Sequence, residues 1–247
     1  MVMRPFLLLA SRDHDEVADD EYRAFCAYAG LEPEHLHRVR AEAGPLPQIR
    51  LEDYSGVILG GSPFTASDPG EEKGPVQRRV EEEIGVLLRR IVEADFPFLG
   101  ACYGVGLLGS QMGAVIDRHF GEPVGPVKVR LSAVGLHDPL CAGLEPAFHA
   151  FVGHKEAVRT LPPHAALLAG SDTCRVQMFR FRRNLYATQF HPELDVAGLE
   201  RRIDAYRHSG YFPPHEAEQV KERARGTEVS EPQKILANFV GRYAVGD

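Results

Sequence analysis

The pentapeptide Gly100-Ala101-Cys102-Tyr103-Gly104, within residues 97–105, decides how this chain folds. Apolar residues 96–99 before it predict a short buried strand, and residues 105–112 after it predict a helix. A tight strand-to-helix turn needs small neighbours, which the glycines and the alanine supply. The sequence therefore predicts a nucleophile elbow that lifts Cys102 off the edge of a sheet. The alternative is a buried structural cysteine.

The predicted helix after this turn bears on the reactivity of Cys102. Its first free N–H groups and its positive dipole end would point at the sulfur, which favours thiolate over thiol. We therefore expect the pKa of the Cys102 thiol to lie below that of an unperturbed cysteine.

A second stretch, residues 186–193, predicts a strand that ends in the sequence His-Pro-Glu. Residues i and i+2 of an extended chain face the same way, so His191 and Glu193 are expected to project together. Pro192 restricts the backbone of His191 and stiffens the pair. Because sites in open α/β sheets assemble at the carboxyl ends of strands, we expect this pair beside Cys102, as base and orienting carboxylate for the nucleophile.

A third stretch is the apolar run 56–59, which predicts a strand and leads into Gly60-Gly61-Ser62-Pro63. A glycine-rich turn after a strand exposes backbone N–H groups, and one aimed at the sulfur would supply half of an oxyanion hole. The N–H of Tyr103 would supply the other half. The alternative is an ordinary turn without a chemical role.

In this order and spacing, the three motifs resemble those of the class I glutamine amidotransferases. More closely, they are similar to the free-standing proteins described as like the amidotransferase domain of GMP synthase. The resemblance covers about residues 4–200. It implies an α/β, flavodoxin-like three-layer sandwich with a central, mostly parallel sheet, and hydrolysis of an amide through a γ-glutamyl thioester.

The resemblance also implies roles for particular residues. Cys102 would be the nucleophile, His191 the base and Glu193 its orienting partner. The oxyanion donors would be Gly61 or Ser62 together with Tyr103.

The substrate pocket is expected around Gly60, Gly106 and the turn His154-Lys155-Glu156, which resembles a family turn bordering the glutamine site. The family usually has glutamine or a similar polar residue four positions after the cysteine, whereas this chain has Gly106. Glycine offers no side-chain donor or acceptor, so we expect weak affinity for free glutamine. The space left at Gly106 would admit a bulkier substituent, or a partner protein would complete the site.

The bulk properties fit an enzyme of this kind. A chain of 247 residues can bury one substantial core, and the alternation of strands and helices argues for one domain over residues 1–247. The net charge of −7 gives no basic footprint, so neither nucleic acid nor an anionic membrane is an expected partner. The arginine pairs at 182–183 and 201–202 are interpreted as solvated faces.

Cysteine usage bears on metals and on location. The four cysteines show no metal-ligand spacing, so neither a metal nor a cofactor is expected. A nucleophilic thiol must stay reduced, which favours the cytoplasm. The apolar run at residues 6–10 is too short for a signal sequence or a membrane span and is interpreted as the first buried strand.

Residues 201–247 form an extension beyond the core, in which helices are expected. These helices either pack over the sheet or form a lid or a subunit contact in a homo-oligomer. At the level of the sequence these alternatives stay open.

The predicted activity is cleavage of a γ-glutamyl amide through a thioester on Cys102, with glutamine as the expected substrate. No phosphate-binding loop or nucleotide fingerprint accompanies these motifs, so an ammonia acceptor is expected on a separate synthase subunit, or ammonia is released to water. One alternative is a γ-glutamyl amine hydrolase that is not specific for glutamine. Another is a non-catalytic binding or regulatory module with a vestigial triad.

Overall fold

The computed structural model of the chain describes residues 3–246, and its centre is a mixed β-sheet. The strands are β1 (Phe6–Ala10), β2 (Leu36–Arg40), β3 (Gly56–Leu59), β4 (Phe98–Ala101), β5 (Val115–Asp117), β6 (Glu122–Leu131), β7 (Ala147–His154), β8 (Ala157–Thr160), β9 (Ala165–Gly170), β10 (Met178–Phe181) and β11 (Leu185–Thr188). Nine of them form one sheet in the order β2-β1-β3-β4-β11-β10-β9-β6-β7, while β5 and β8 pair separately.

Helices cover both faces of this sheet. They are α1 (Asp15–Ala29), α2 (Pro75–Ala94), α3 (Tyr103–Gln111), α4 (Val196–Ala205), α5 (Ala217–Arg225) and α6 (Gln233–Tyr243). Within residues 3–246, none of the helices combines the length and the apolar character that a membrane crossing needs.

Strand β1 shows how the three layers form. Its side chains alternate between two cores: Phe6 and Leu8 pack with side chains of α1 and α6, whereas Leu7 and Leu9 pack with side chains of α2 and α3. A parallel strand that is covered on both faces is apolar at every position, as β1 is. The predicted flavodoxin-like sandwich, with its first strand at residues 6–10, is confirmed.

The parallel half of the sheet determines where a site can form. Strands β2, β1, β3, β4 and β11 lie side by side and run in the same direction. The carboxyl ends of β3, β4 and β11 therefore meet at one edge of the sheet. The segments that follow these strands begin with Gly60, Cys102 and Gln189, so the three sequence motifs come together at that edge.

The antiparallel half, β10, β9, β6 and β7, continues the sheet from β11. Strand β7 ends at His154, which lies opposite Glu122 at the start of β6. This pairing brings the turn at 154–156 to the edge that carries Cys102.

The extension packs on both the sheet and the site. Helix α6 buries Leu236 and Phe239 in the core beside α1. Helices α4 and α5 share a third apolar cluster with Phe151 of β7. The expected start of the extension at residue 201 falls inside α4, which begins at Val196, because this helix is continuous with the buried turn after β11.

Candidate active site

Cys102 lies between β4 and α3 in a backbone conformation that side chains rarely adopt. Its φ is 52° and its ψ is −85°, a region that disfavours residues with a Cβ. Its N–H donates to the carbonyl of Thr188 at 2.7 Å, which ties the turn to β11. A Cβ on Gly100 would lie 2.8 Å from the Cα of Gly104, so strand and helix approach this closely only with glycine there. The turn is strained and braced, and the Cys102 side chain is half-buried.

His191 and Glu193 meet in a turn rather than on a strand. Strand β11 ends at Thr188, whereas the sequence predicts a strand that continues to Glu193. The N–H of Leu194 donates to the carbonyl of His191 at 3.3 Å, which curls the chain back on itself. His191 Nδ1 lies 2.8 Å from Oε1 of Glu193 and 3.0 Å from Nη1 of Arg202. The short contact with the carboxylate favours the tautomer with its proton on Nδ1, which leaves Nε2 as the nitrogen available for chemistry.

Two arginines and a further glutamate surround this pair. Arg202 donates to Oε1 of Glu193 at 2.9 Å and to Oε1 of Glu21 at 3.0 Å. Arg12 Nε donates to the same oxygen of Glu21 at 2.7 Å. All four charged side chains are buried, so each charge depends on its neighbours for compensation. The network fixes the position of the carboxylate that holds His191.

The interpretation of the arginine pair at 201–202 as a solvated face is wrong for one member. The side chain of Arg201 is 50% exposed, whereas Arg202 as a whole is only 8% exposed. Arg202 follows the buried Leu199 by three positions on α4, and Glu21 follows the buried Val17 by four positions on α1. This helical spacing is the sequence signal that places both charged residues on buried faces.

Burial controls the protonation of the reacting groups. It raises the pKa of the Cys102 thiol to about 12, although Arg12 and Arg202 oppose the shift. Burial also lowers the pKa of His191, against the attraction of Glu193. For Glu193, burial opposes ionisation, but His191 and Arg202 still hold the pKa of its carboxyl well below the usual range. The structure thus indicates a neutral thiol beside a neutral imidazole, contrary to the lowered thiol pKa expected from the helix dipole.

The glycines of the turn after β3 allow charged side chains to pack against the backbone. A Cβ on Gly60 would lie 3.0 Å from Oε2 of Glu21. A Cβ on Gly61 would lie 2.6 Å from Cε1 of His191 and 2.7 Å from Nη2 of Arg12. Any larger residue at position 61 would displace the imidazole or the guanidinium.

Ser62 and Tyr103 border the same cavity as Cys102. The Oγ of Ser62 accepts a hydrogen bond from the N–H of Phe64 at 3.1 Å, so this side chain shapes the turn. Tyr103 is the first residue of α3, where a backbone N–H has no partner within the helix. Helix α3 therefore begins, directly after Cys102, with a backbone donor that the helix itself leaves unpaired.

Glu156 explains why residue 106 is glycine. A Cβ on Gly106 would lie 2.5 Å from Oε1 of Glu156 and 2.9 Å from the Cβ of Ala66. The Glu156 carboxylate is held there because its oxygens accept from the N–H groups of Ala66 at 3.0 Å and Ser67 at 2.6 Å. The expectation that Gly106 leaves room for a bulkier substituent is therefore wrong, since Glu156 fills that space.

His154 belongs to a second buried set of a cysteine, a histidine and a glutamate. The ligand-type atoms of Glu122, His154 and Cys174 all lie within 4.8 Å of one another. However, His154 Nε2 bonds to Glu122 and Nδ1 to the carbonyl of Glu156, each at 2.8 Å. The Cys174 thiol donates to the carbonyl of Val176 at 3.5 Å. These atoms bond to each other and to the backbone, so the set braces the turn at 154–156 in this structure.

Two cavities meet at Cys102. One is bordered by His191 and the other by Tyr103, and we name them the His191 cavity and the Tyr103 cavity. Tyr211, from the segment between α4 and α5, borders both of them. Its ring centre lies 4.7 Å from Nζ of Lys155, a cation–π contact that joins the extension to the turn after β7. The extension therefore covers the site as well as packing on the sheet.

The doubly covered sheet and the cysteine turn at its carboxyl edge define an α/β protein of the amidotransferase type. The model of the family described as Glutamine amidotransferase class-I matches residues 34–202, and the chain belongs to this family.

Relatives in this family include GMP synthases. One is a subunit of the GMP synthase (glutamine-hydrolyzing) of Pyrococcus furiosus, which is 29% identical over 181 residues, covering 73% of this chain and 85% of that protein. The chain is 27% identical over 153 residues to the GMP synthase (glutamine-hydrolyzing) of Edwardsiella ictaluri, which covers 60% of this chain. The match spans only 27% of that longer relative.

Solved structures share the fold. A glutamine amidotransferase from Thermotoga maritima superposes with a TM-score of 0.74 at 22% identity, covering 97% of this chain and 98% of that one. A glutamine amido transferase from Methylobacillus flagellatus gives a TM-score of 0.70 at 17% identity, covering 98% of this chain and 94% of that one. At such identities the likeness concerns the fold alone.

Proposed function

We propose that the protein hydrolyses a γ-glutamyl amide through a thioester on Cys102, with glutamine as a substrate. The observation that carries this proposal is the strained Cys102 turn, which opens into the same cavity as His191. Strain at a single non-glycine residue is costly and persists where function needs it. The hydrogen bond from His191 to Glu193 completes the order of nucleophile, base and orienting carboxylate.

The first half of the reaction starts from neutral partners. As the Cys102 sulfur attacks the amide carbon, its proton passes to Nε2 of His191, and Glu193 stabilises the imidazolium that forms. The N–H of Tyr103, together with an N–H of Gly61 or Ser62, stabilises the oxyanion of the tetrahedral intermediate. This route needs no thiolate in the resting protein, which fits the raised pKa of the Cys102 thiol.

The second half releases both products. The carbon–nitrogen bond breaks while His191 returns the proton to the departing amine, which leaves a γ-glutamyl thioester on Cys102. Water then attacks the thioester carbon and gives a proton to His191, and the sulfur leaves with that proton as glutamate is freed. In this proposal the Tyr103 cavity holds the γ-glutamyl group. His154 and Glu156 border that cavity, while Gly60 and Gly106 leave room for the carboxylates of Glu21 and Glu156.

The fate of the released ammonia is a separate question. We propose a partner synthase as the acceptor, because one relative is named as a subunit of a GMP synthase and this chain covers 85% of it. A reducing compartment such as the cytoplasm suits the proposed nucleophile, and all four cysteines are unpaired.

The test is direct. Purified protein is incubated with glutamine, and the released ammonia is measured. A parallel sample is treated with a thiol-reactive glutamine analogue, and its intact mass is measured by mass spectrometry. We expect ammonia release and one covalent adduct that the Cys102→Ala variant lacks. No adduct under saturating conditions, with no ammonia, would instead identify a non-catalytic binding module.

A further inference from the structure

The His191 cavity is more apolar than the release of ammonia requires. Its walls include Val124, Leu199, Ile203 and Phe212, contributed by β6, α4 and the segment after α4. Ammonia has no apolar surface to bury, so these walls would add nothing to its binding. They suit a leaving group that carries a hydrophobic side chain.

The position of His191 shows which part of a substrate would occupy this cavity. The departing amine must receive its proton from His191, whereas the oxyanion must face the N–H of Tyr103. His191 borders only one of the two cavities that meet at Cys102, and Tyr103 borders only the other. A substrate that spans Cys102 would therefore place its acyl group in the Tyr103 cavity and its amine in the His191 cavity.

The polar groups of the His191 cavity favour an anion. Tyr206 is 7% exposed and borders the cavity, and its hydroxyl has no hydrogen-bond partner among residues 3–246. Arg12 borders the same cavity, with its Cζ 5.8 Å from the centre of the Tyr206 ring. No acidic side chain is among the described residues that border it. A hydroxyl and a guanidinium can both donate to a carboxylate.

We propose that the His191 cavity binds an α-amino acid leaving group with an apolar side chain, so that the protein cleaves γ-glutamyl dipeptides. Arg12 and Tyr206 bind the α-carboxylate of the departing amino acid, and the apolar walls take its side chain. Hydrolysis consumes one water and yields glutamate and the free amino acid, with no oxidant or reductant. This inference rests on the proposed role of Cys102 as nucleophile.

Three substrates separate the contribution of the α-carboxylate from that of the apolar side chain. γ-Glutamyl-phenylalanine carries both the carboxylate and the ring, γ-glutamyl-phenethylamide lacks only the carboxylate, and glutamine lacks both. We expect kcat/KM for the dipeptide to exceed that of each of the others by about tenfold or more. A phenethylamide that reacts as well as the dipeptide would overturn carboxylate recognition, and a preference for glutamine would overturn the subsite.

Substitutions of residues that border the His191 cavity test their proposed roles in binding the leaving group. Tyr206→Phe should raise KM for the dipeptide about tenfold and bring its kcat/KM close to that of the phenethylamide. Tyr54→Phe, the same deletion at a residue outside both cavities, is the matched control. Val124→Trp should narrow the cavity and depress use of both aromatic substrates more than use of glutamine, with Val86→Trp on the exposed side of α2 as its control. Equal effects of test and control variants would count against the subsite.

This inference and the proposed function can fail separately. An adduct of the glutamine analogue on Cys102 without dipeptide cleavage would overturn the amino-acid subsite alone. If neither the adduct nor any hydrolysis is observed, the nucleophile assignment fails and the subsite with it.

Discussion

The molecule brings a cysteine, a histidine and a glutamate together twice. The elbow set is Cys102, His191 and Glu193; the second set is Cys174, His154 and Glu122. In the second set the cysteine is 0% exposed, and the two imidazole nitrogens contact Glu122 and the Glu156 carbonyl, so neither nitrogen is free to contact a substrate. In the elbow set one imidazole nitrogen is bonded to a carboxylate and the cysteine borders two cavities.

The backbone separates the two sets further. Cys102 has a positive φ, which it shares among the described non-glycine residues only with Asp95 and Arg182. Cys174 lies in unstrained backbone and donates to a nearby carbonyl. Burial raises the thiol pKa to about 12 in both sets, so thiol pKa does not distinguish them. The two sets differ instead in the access of the cysteine to a cavity and in the presence of a free imidazole nitrogen.

Removing each sulfur should give the largest contrast between the sets. Cys102→Ala is expected to lower glutamine hydrolysis by a factor of about 1,000 or more, since members of a catalytic set act as a unit. Cys174→Ala should retain activity and lower the free energy of unfolding by about 1 kcal/mol, because it leaves a small buried void. Ammonia release and urea denaturation measure the two effects.

A further variant at the elbow separates strain from chemistry. Cys102→Gly should be inactive yet as stable as the native protein or more so, because glycine tolerates the positive φ. Loss of activity in Cys174→Ala with full activity in Cys102→Ala would reverse the assignment of the two sets.

Exchanging each histidine should give the next largest contrast. His191→Asn removes the only proposed base and should lower kcat by a factor of about 100 to 10,000. His154→Asn should act mainly on stability, because its bonds to Glu122 and to the Glu156 carbonyl hold the turn at 154–156. Steady-state kinetics and thermal unfolding of both variants test this. A larger loss of kcat in His154→Asn would show that the second set takes part in chemistry.

Much of the fold could be predicted from local pattern. The continuous apolar run of β1 and the small residues around Cys102 indicate a doubly covered sheet with a tight turn at its edge. The buried contact of Glu21 with Arg202 could not be read this way, because it joins residues 181 positions apart. Only the helical spacing of Glu21 from Val17 hints that a charge lies on a buried face.

Two of the wrong expectations, the thiol pKa of Cys102 and the space at Gly106, have a common physical cause. The helix dipole favours a thiolate at Cys102, but the sequence does not show how far burial opposes it. In the same way, Gly106 suggests empty space, although the carboxylate of Glu156 occupies that position. The thiol pKa of Cys102 and the space beside Gly106 both depend on side chains that are distant in the sequence and close in the fold.

The pH dependence of cysteine alkylation tests the raised thiol pKa that the two sets share. With a thiol pKa raised to about 12, the rate of reaction of Cys102 with iodoacetamide should climb about tenfold per pH unit from pH 6 to 9. The buried Cys174 should stay unmodified in the native protein. Mass spectrometry of digests gives both rates. A Cys102 rate that is already at its plateau near pH 7 would restore the thiolate expected from the helix dipole.

The smallest expected effect concerns the link between the two sets. Glu156 bonds through its carbonyl to His154 and fills the space beside Gly106, four residues after the elbow. Gly106→Ala would place a Cβ 2.5 Å from the Glu156 carboxylate, and the adjacent Ala66 Cβ leaves that group little room to move. We expect a loss of about 1–3 kcal/mol in the free energy of unfolding and a higher KM for glutamine. Gly241→Ala in α6, where nothing lies within 4 Å of the new Cβ, is the matched control and should gain up to about 1 kcal/mol from helix propensity. If the two variants had the same free energy of unfolding, the Glu156 carboxylate would be able to move away from the new Cβ without loss of stability. Glu156 would then not couple the second set to the elbow set.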